Sequence, residues 1–196
     1  MIRSFLLILN LFIFSLNSIG QSDKSNCGEL DAYDLLFFAS NNEEEALILV
    51  AQLTDRIREN PNKPSWYFLR GINKSYLNDN RGAIDDYRTA LRLLEAKPFK
   101  SKTFESDGLL EINTNLAMSK SLSSIEDYQR AIEFANKALL EAEKWGVTYV
   151  IMDKIFFRRG AAYLVSGNLE LGCKDMSRAG ENGCAQAYAI IETYCQ

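Results

Sequence analysis

Histidine is absent from this 196-residue chain. Its absence removes the commonest general base and zinc ligand, and with them His-dependent catalytic triads and helical zinc-protease motifs. Lysine and arginine nowhere form a run, and the formal net charge is -4. Nucleic acid is therefore a poor partner, since phosphate contacts dominate that affinity. Glycine-rich phosphate loops and nucleophile elbows are missing as well. Proline occurs three times, at Pro61, Pro64 and Pro98, always between predicted helix pairs, where the missing N–H does least harm. The N-terminal apolar run, Phe5 to Leu16, is interrupted by Asn10. It falls short of the roughly 20 apolar residues a membrane-spanning helix needs.

That run follows Arg3 and ends in Ser15-Leu16-Asn17-Ser18-Ile19-Gly20, the pattern of a secretory signal peptide. Residues 1–20 are expected to be removed after Gly20, with Ser18 and Gly20 as the small residues read by the peptidase. Lys24-Ser25-Asn26 precedes Cys27 in place of a lipobox, so lipidation is not expected. Residues 21–28 then form a flexible lead-in, and residues 29–196 a single domain without stable membrane insertion, since no second compositional regime follows.

What the chain does contain is helical periodicity. Leu30, Tyr33, Leu36 and Phe37, then Ala46, Leu49, Val50, Leu53 and Ile57, recur at three- and four-residue spacing around Ser40-Asn41-Asn42, which predicts a hairpin over residues 29–60. Asn42 is placed to cap the second helix, with Glu43, Glu44 and Glu45 in its first turn. From Pro64 to Lys97, Trp66, Leu69, Ile72 and Tyr76 mark one helix, Asn78-Asp79-Asn80 a turn, and Ala83, Ile84, Tyr87, Ala90, Leu91 and Leu94 a second helix. Close approach of two helices needs small residues at the crossing, which sets Gly71 against Ala83 and Ala90.

The register recurs. Gly71, Ala83, Tyr87 and Ala90 are echoed by Ser119, Ala131, Ala135 and Ala138, and again by Gly160, Gly172, Met176 and Ala179. Such a period decides the architecture before any single residue does. The span 64–97 resembles a tetratricopeptide repeat, with Trp66 and Tyr67 near its start, the Gly-Ala-Tyr-Ala register inside and Pro98 beyond. Lys74 stands where that family usually has tyrosine. Spans 108–143 and 148–181 resemble it less closely. The resemblance implies an all-α fold, a right-handed α-α superhelix, closed by a capping helix over 184–195. Inserts are expected near 97–107 and 144–148, and the β-branched stretch Val147 to Ile151 is read as helix.

Four cysteines, Cys27, Cys173, Cys184 and Cys195, point to disulfides in an exported chain. A helix from 184 to 195 separates its ends by about 16 Å at 1.5 Å per residue, too far for a bridge. Folding back near Asn182-Gly183 brings Cys173 opposite the end of that helix, so Cys173–Cys195 is the expected bridge. Cys27–Cys184 follows by elimination, with both left free as the alternative. The ten-residue gaps lack the close cysteine pairs of zinc sites, and no cofactor is implied.

Asp85 and Asp86 are adjacent, so on a helix they diverge by about 100°. They are read as a solvated face or a capping contact rather than a catalytic carboxylate pair. Asn73-Lys74-Ser75 falls inside a predicted helix, which argues against a glycosylation acceptor. The tetratricopeptide resemblance implies a concave groove lined by first-helix positions: Phe68, Ile72 and Tyr76, then Asn113, Leu116 and Lys120, then Phe157, Ala161 and Leu164. Phe68 and Ile72 stand where carboxylate-clamping members of the family carry Lys and Asn, so an apolar or amphipathic segment suits the groove better; the equal alternative is that Phe68 and Phe157 are simply core. The expected function is non-catalytic protein or peptide binding in the cell envelope or outside the cell. The alternative is a carrier of a small apolar ligand or lipid, which requires Phe68, Tyr76 and Phe157 to ring a closed pocket.

Overall fold

The computed structural model describes residues 42–97, 107–147 and 151–195. These contain eight helices and no strand: α1 (Glu43–Glu59), α2 (Pro64–Tyr76), α3 (Asn80–Glu95), α4 (Leu109–Ser124), α5 (Tyr128–Lys144), α6 (Met152–Val165), α7 (Leu169–Glu181) and α8 (Ala185–Tyr194). The all-α expectation holds. The predicted first helix of the 29–60 hairpin, the 98–106 part of the first insert and most of the Val147–Ile151 stretch lie outside the described residues.

Capping alternates with a two-helix period. An Asn or Asp side chain accepts a backbone N–H at the start of every odd helix: Asn42 from Glu45, Asp79 from Gly82, Asp127 from Arg130 and Asn168 from Leu171. Each such cap is worth about 1 kcal/mol. The even helices start at Lys63, Gly108, Ile151 and Cys184 without a side-chain cap, and Pro64 opens α2 at a position where it has no N–H to lose. In α1 the glutamates of the first turn and Arg56 and Arg58 of the last turn complement the helix dipole.

The turns inside the helix pairs are copies of one another. In each, the odd helix's capping residue donates its N–H back to a carbonyl five residues earlier: Asp79 to Lys74, Asp127 to Leu122 and Asn168 to Tyr163. The residue just before it is left-handed, with φ of 63° at Asn78, 64° at Glu126 and 89° at Gly167. This is the Schellman ending of one helix fused to the Asx cap of the next. Short turns make successive helices antiparallel, and each helix packs on its neighbours in chain order. The even helices also meet: α2 touches α4, and α4 touches α6.

The core of the described residues divides into three apolar clusters. Phe68, Ala83, Tyr87, Met118, Leu122 and Ala131 belong to the first. Ile112, Leu116, Ala138 and Ile155 belong to another, and Phe157, Leu164, Met176, Ala179, Ala187 and Ile190 to the third. The small-residue register does lie at the helix crossings: Ala83, Ala90, Ala131, Ala138 and Ala179 are buried, as are Gly71 and Gly160. Gly71, however, accommodates Tyr87 rather than Ala83 and Ala90. A Cβ there would lie 2.5 Å from Tyr87 Cε1, so the glycine's missing side chain is the space the ring occupies.

Cys173 is bonded to Cys195, with Cα atoms 5.6 Å apart. Cys184 is disulfide-bonded too, and its expected pairing with Cys27 falls on a residue outside the described ones. Among the described residues no helix is long and apolar enough to cross a membrane.

Candidate functional site

The first-helix positions expected to line a groove divide into two groups. Phe68, Leu116, Phe157 and Leu164 are buried and are part of the core. Phe68 leans on Tyr87 with ring centroids 6.2 Å apart, and Leu164 fills the space over Gly172, whose added Cβ would lie 2.6 Å from Leu164 Cδ2. These positions face the second helix of their own pair, so the apolar groove expected from them is corrected to a packed interior. Ile72, Asn113 and Ala161 are half-buried, Lys120 is exposed and Tyr76 is 49% exposed. The accessible part of the expected face is therefore Ile72 and Tyr76 on α2, Asn113 and Lys120 on α4, and Ala161 on α6. The three aromatics of the pocket reading do not gather: Phe68 and Phe157 lie in separate clusters and Tyr76 points outward.

Behind that face lies an arrangement the sequence reading missed. Arg70 grips both carboxylate oxygens of Asp86, through Nε at 2.9 Å and Nη2 at 2.6 Å, and its Nη1 donates to Thr54 Oγ1 at 3.1 Å. Arg159 does the same with Asp175, through Nε at 2.6 Å and Nη2 at 2.9 Å, while Nη1 donates to Asn136 at 2.6 Å. Each arginine thus ties its own helix to the second helix of its pair and to the last helix of the preceding pair. Each is also stacked on the aromatic three residues earlier, Arg70 on Tyr67 and Arg159 on Phe156, both at 5.7 Å. Such forked, stacked contacts are what guanidinium geometry permits and an ammonium does not.

A second cation completes each cluster. Lys74 reaches Asp86 Oδ2 at 2.9 Å, and Arg178 lies 3.7 Å from Asp175 Oδ1. The reading of Asp86 as a solvated face is overturned, because it is 4% exposed and accepts from two cations; only Asp85 is solvated, beside Arg88. Lys74 takes up this role at the position where a tyrosine was expected. The signal was available in the repeat register. Arg70 precedes Gly71 and Asp86 precedes Tyr87, as Arg159 precedes Gly160 and Asp175 precedes Met176. In the middle pair the equivalents are Met118, Leu122 and Phe134, which pack in the first apolar cluster. The middle pair thus carries apolar side chains at all three positions.

Electrostatics follow the burial. The hydrogen bonds to Asp175 hold the Arg159 guanidinium above its ordinary pKa, against the desolvation that burial imposes. Burial pushes the Tyr87 phenol far above the usual tyrosine range, with the Ser121 hydroxyl acting weakly in the other direction. Ser121 in turn donates to Ser75, and Ser75 to Asn80, a hydroxyl chain linking α2, α3 and α4. Among the described residues, Asn115 Oδ1 and Ser119 Oγ, both buried on α4, find no hydrogen-bond partner. Both oxygens of Asp86 and of Asp175 are engaged by cations. The arrangement clamps helices and leaves a mixed apolar and polar face exposed.

Compared with known proteins, the chain matches no family model and no curated protein.

Proposed function

We propose that this chain is a tetratricopeptide-type scaffold, a right-handed superhelix of helix pairs, that holds a protein or peptide partner on the face carrying Tyr76. The observation that carries the reading is the half-exposed Tyr76 beside half-buried Ile72, on a helix that touches α4 with Asn113 and Lys120. Tyrosine is among the side chains enriched at binding hot spots. The repeated caps and arginine clasps support a stiff frame, which lowers the entropic cost of binding. The partner that suits the face is a segment with one apolar side chain for Tyr76 and Ile72 and polar or acidic groups for Asn113 and Lys120. Export by the N-terminal signal, into the periplasm, envelope or extracellular space, agrees with a disulfide in the fold.

The test is capture of partners from the native envelope fraction by the oxidised protein, run beside a Tyr76→Ala/Lys120→Ala variant. Both positions are exposed, so the variant keeps its fold, whereas Phe68→Ala or Phe157→Ala removes core and tests stability instead. A partner retained by the parent and lost by the variant supports the reading; identical capture by both removes it.

A further inference from the structure

Helix α8 is held covalently at both of its ends. Cys184 occupies its N-cap and Cys195 its C-cap, and both are in disulfides. Between them the helix has ten residues, of which Ala187 and Ile190 are buried. Tyr188 lies across Gly180, where an added Cβ would meet its ring at 2.8 Å, and the helix packs chiefly on α7. Ala187 and Ile190 share an apolar cluster with Phe157, Leu164, Met176 and Ala179. The helix thereby covers apolar surface of the pair before it, and a short helix with a small apolar footprint docks weakly on its own. The two sulfur sites differ in access: Cys184 is 0% exposed, whereas Cys173 and Cys195 are half-buried.

From this we infer that α8 is a redox-controlled latch, in which reduction of Cys173–Cys195 releases the C-terminal end of the helix and uncovers the apolar surface of α6 and α7 beneath Ala187 and Ile190. An external dithiol supplies two electrons and two protons. One of its thiolates attacks a sulfur of the bridge, the mixed disulfide is resolved by the second, Cys173 and Cys195 become thiols, and the reductant leaves as its own disulfide. The Cys184 sulfur itself, 0% exposed, is closed to attack in this step. The inference does not depend on the proposed partner face, which lies on α2 and α4.

The experiment treats the folded, oxidised protein with dithiothreitol in steps, alkylates the thiols and reads both alkylation order and amide hydrogen exchange by mass spectrometry. Alkylation of Cys173 and Cys195 before Cys184 is expected. Exchange should become at least about tenfold faster in α8 while α4 and α5 keep their protection, with a rise in fluorescence of a hydrophobic dye. A Cys173→Ser/Cys195→Ser variant should show the same exchange pattern without reductant. The inference is overturned if Cys184 reacts first, if α8 stays as protected after reduction as before, or if protection is lost throughout the chain together.

Discussion

Arg159 and Asp175 face each other as a fork on a fork, with nitrogen–oxygen distances of 2.6 and 2.9 Å. The pair repeats, at the same sequence separation, the one between Arg70 and Asp86. Buried pairs of this kind gain little over an apolar replacement, yet breaking one strands a charge. The middle helix pair carries the apolar solution in the same chain, with Met118 and Phe134 in those positions.

Asp175→Asn is accordingly expected to destabilise the fold by about 3–5 kcal/mol. Combining Arg159→Met with Asp175→Phe, the residues of the middle pair, should cost far less than the sum of the single changes. Urea unfolding of the four proteins in a double-mutant cycle checks this; additive costs would mean the two side chains do not act as one unit.

Gly71 and Ser119 occupy the same register but predict opposite responses to alanine. At Gly71 a Cβ meets the Tyr87 ring, and overpacking of this kind costs about 1–3 kcal/mol. Across from Ser119 the equivalent of Tyr87 is Ala135, and the serine hydroxyl has no partner among the described residues. Ser119→Ala should therefore raise stability by about 1 kcal/mol. Thermal unfolding of both variants gives the two signs directly.

Tyr87 makes stability depend on alkaline pH. Its pKa is raised in the fold by burial, so the folded state favours the neutral phenol. That contribution is complete below the unfolded value of about 10 and is lost as pH rises above it. Unfolding free energy should fall between about pH 10 and 12, and fall less steeply in Tyr87→Phe. Equal slopes in the two proteins would remove Tyr87 as the cause.

Glu126 sits at φ 64°, where Gly167 stands in the next turn at φ 89°. A side chain other than Gly, Asn or Asp is strained there by about 1 kcal/mol. Glu126→Gly is expected to leave stability unchanged or raise it slightly, and Gly167→Glu to lower it by a similar amount. Chemical denaturation of both variants measures the difference.

The helix pairs were legible in the sequence because their determinants are local: Asn42 and its three glutamates and the Asn78-Asp79 turn each act within a few residues. The Cys173–Cys195 bridge was legible as well, because helix rise excluded the competing pair. Facing direction was not. Phe68, Leu116, Phe157 and Leu164 share their helix with Ile72, Lys120 and Ala161, and a register assigned by family likeness does not say which first-helix side chains the second helix will cover. Asp86 was misread for a related reason. Its partner Arg70 lies on another helix, and adjacency to Asp85 carries no information about contacts made across a turn.

Calorimetric titration of a captured partner reads out whether that partner is held on the Tyr76 face. Leu140, 63% exposed on α5, serves as a control of equal apolar character away from α2 and α4. Tyr76→Ala should weaken binding by at least about tenfold, the loss of about 1.4 kcal/mol typical of an anchor, while Leu140→Ala leaves the affinity unchanged. Undiminished affinity in Tyr76→Ala, or loss only in Leu140→Ala, would contradict the account.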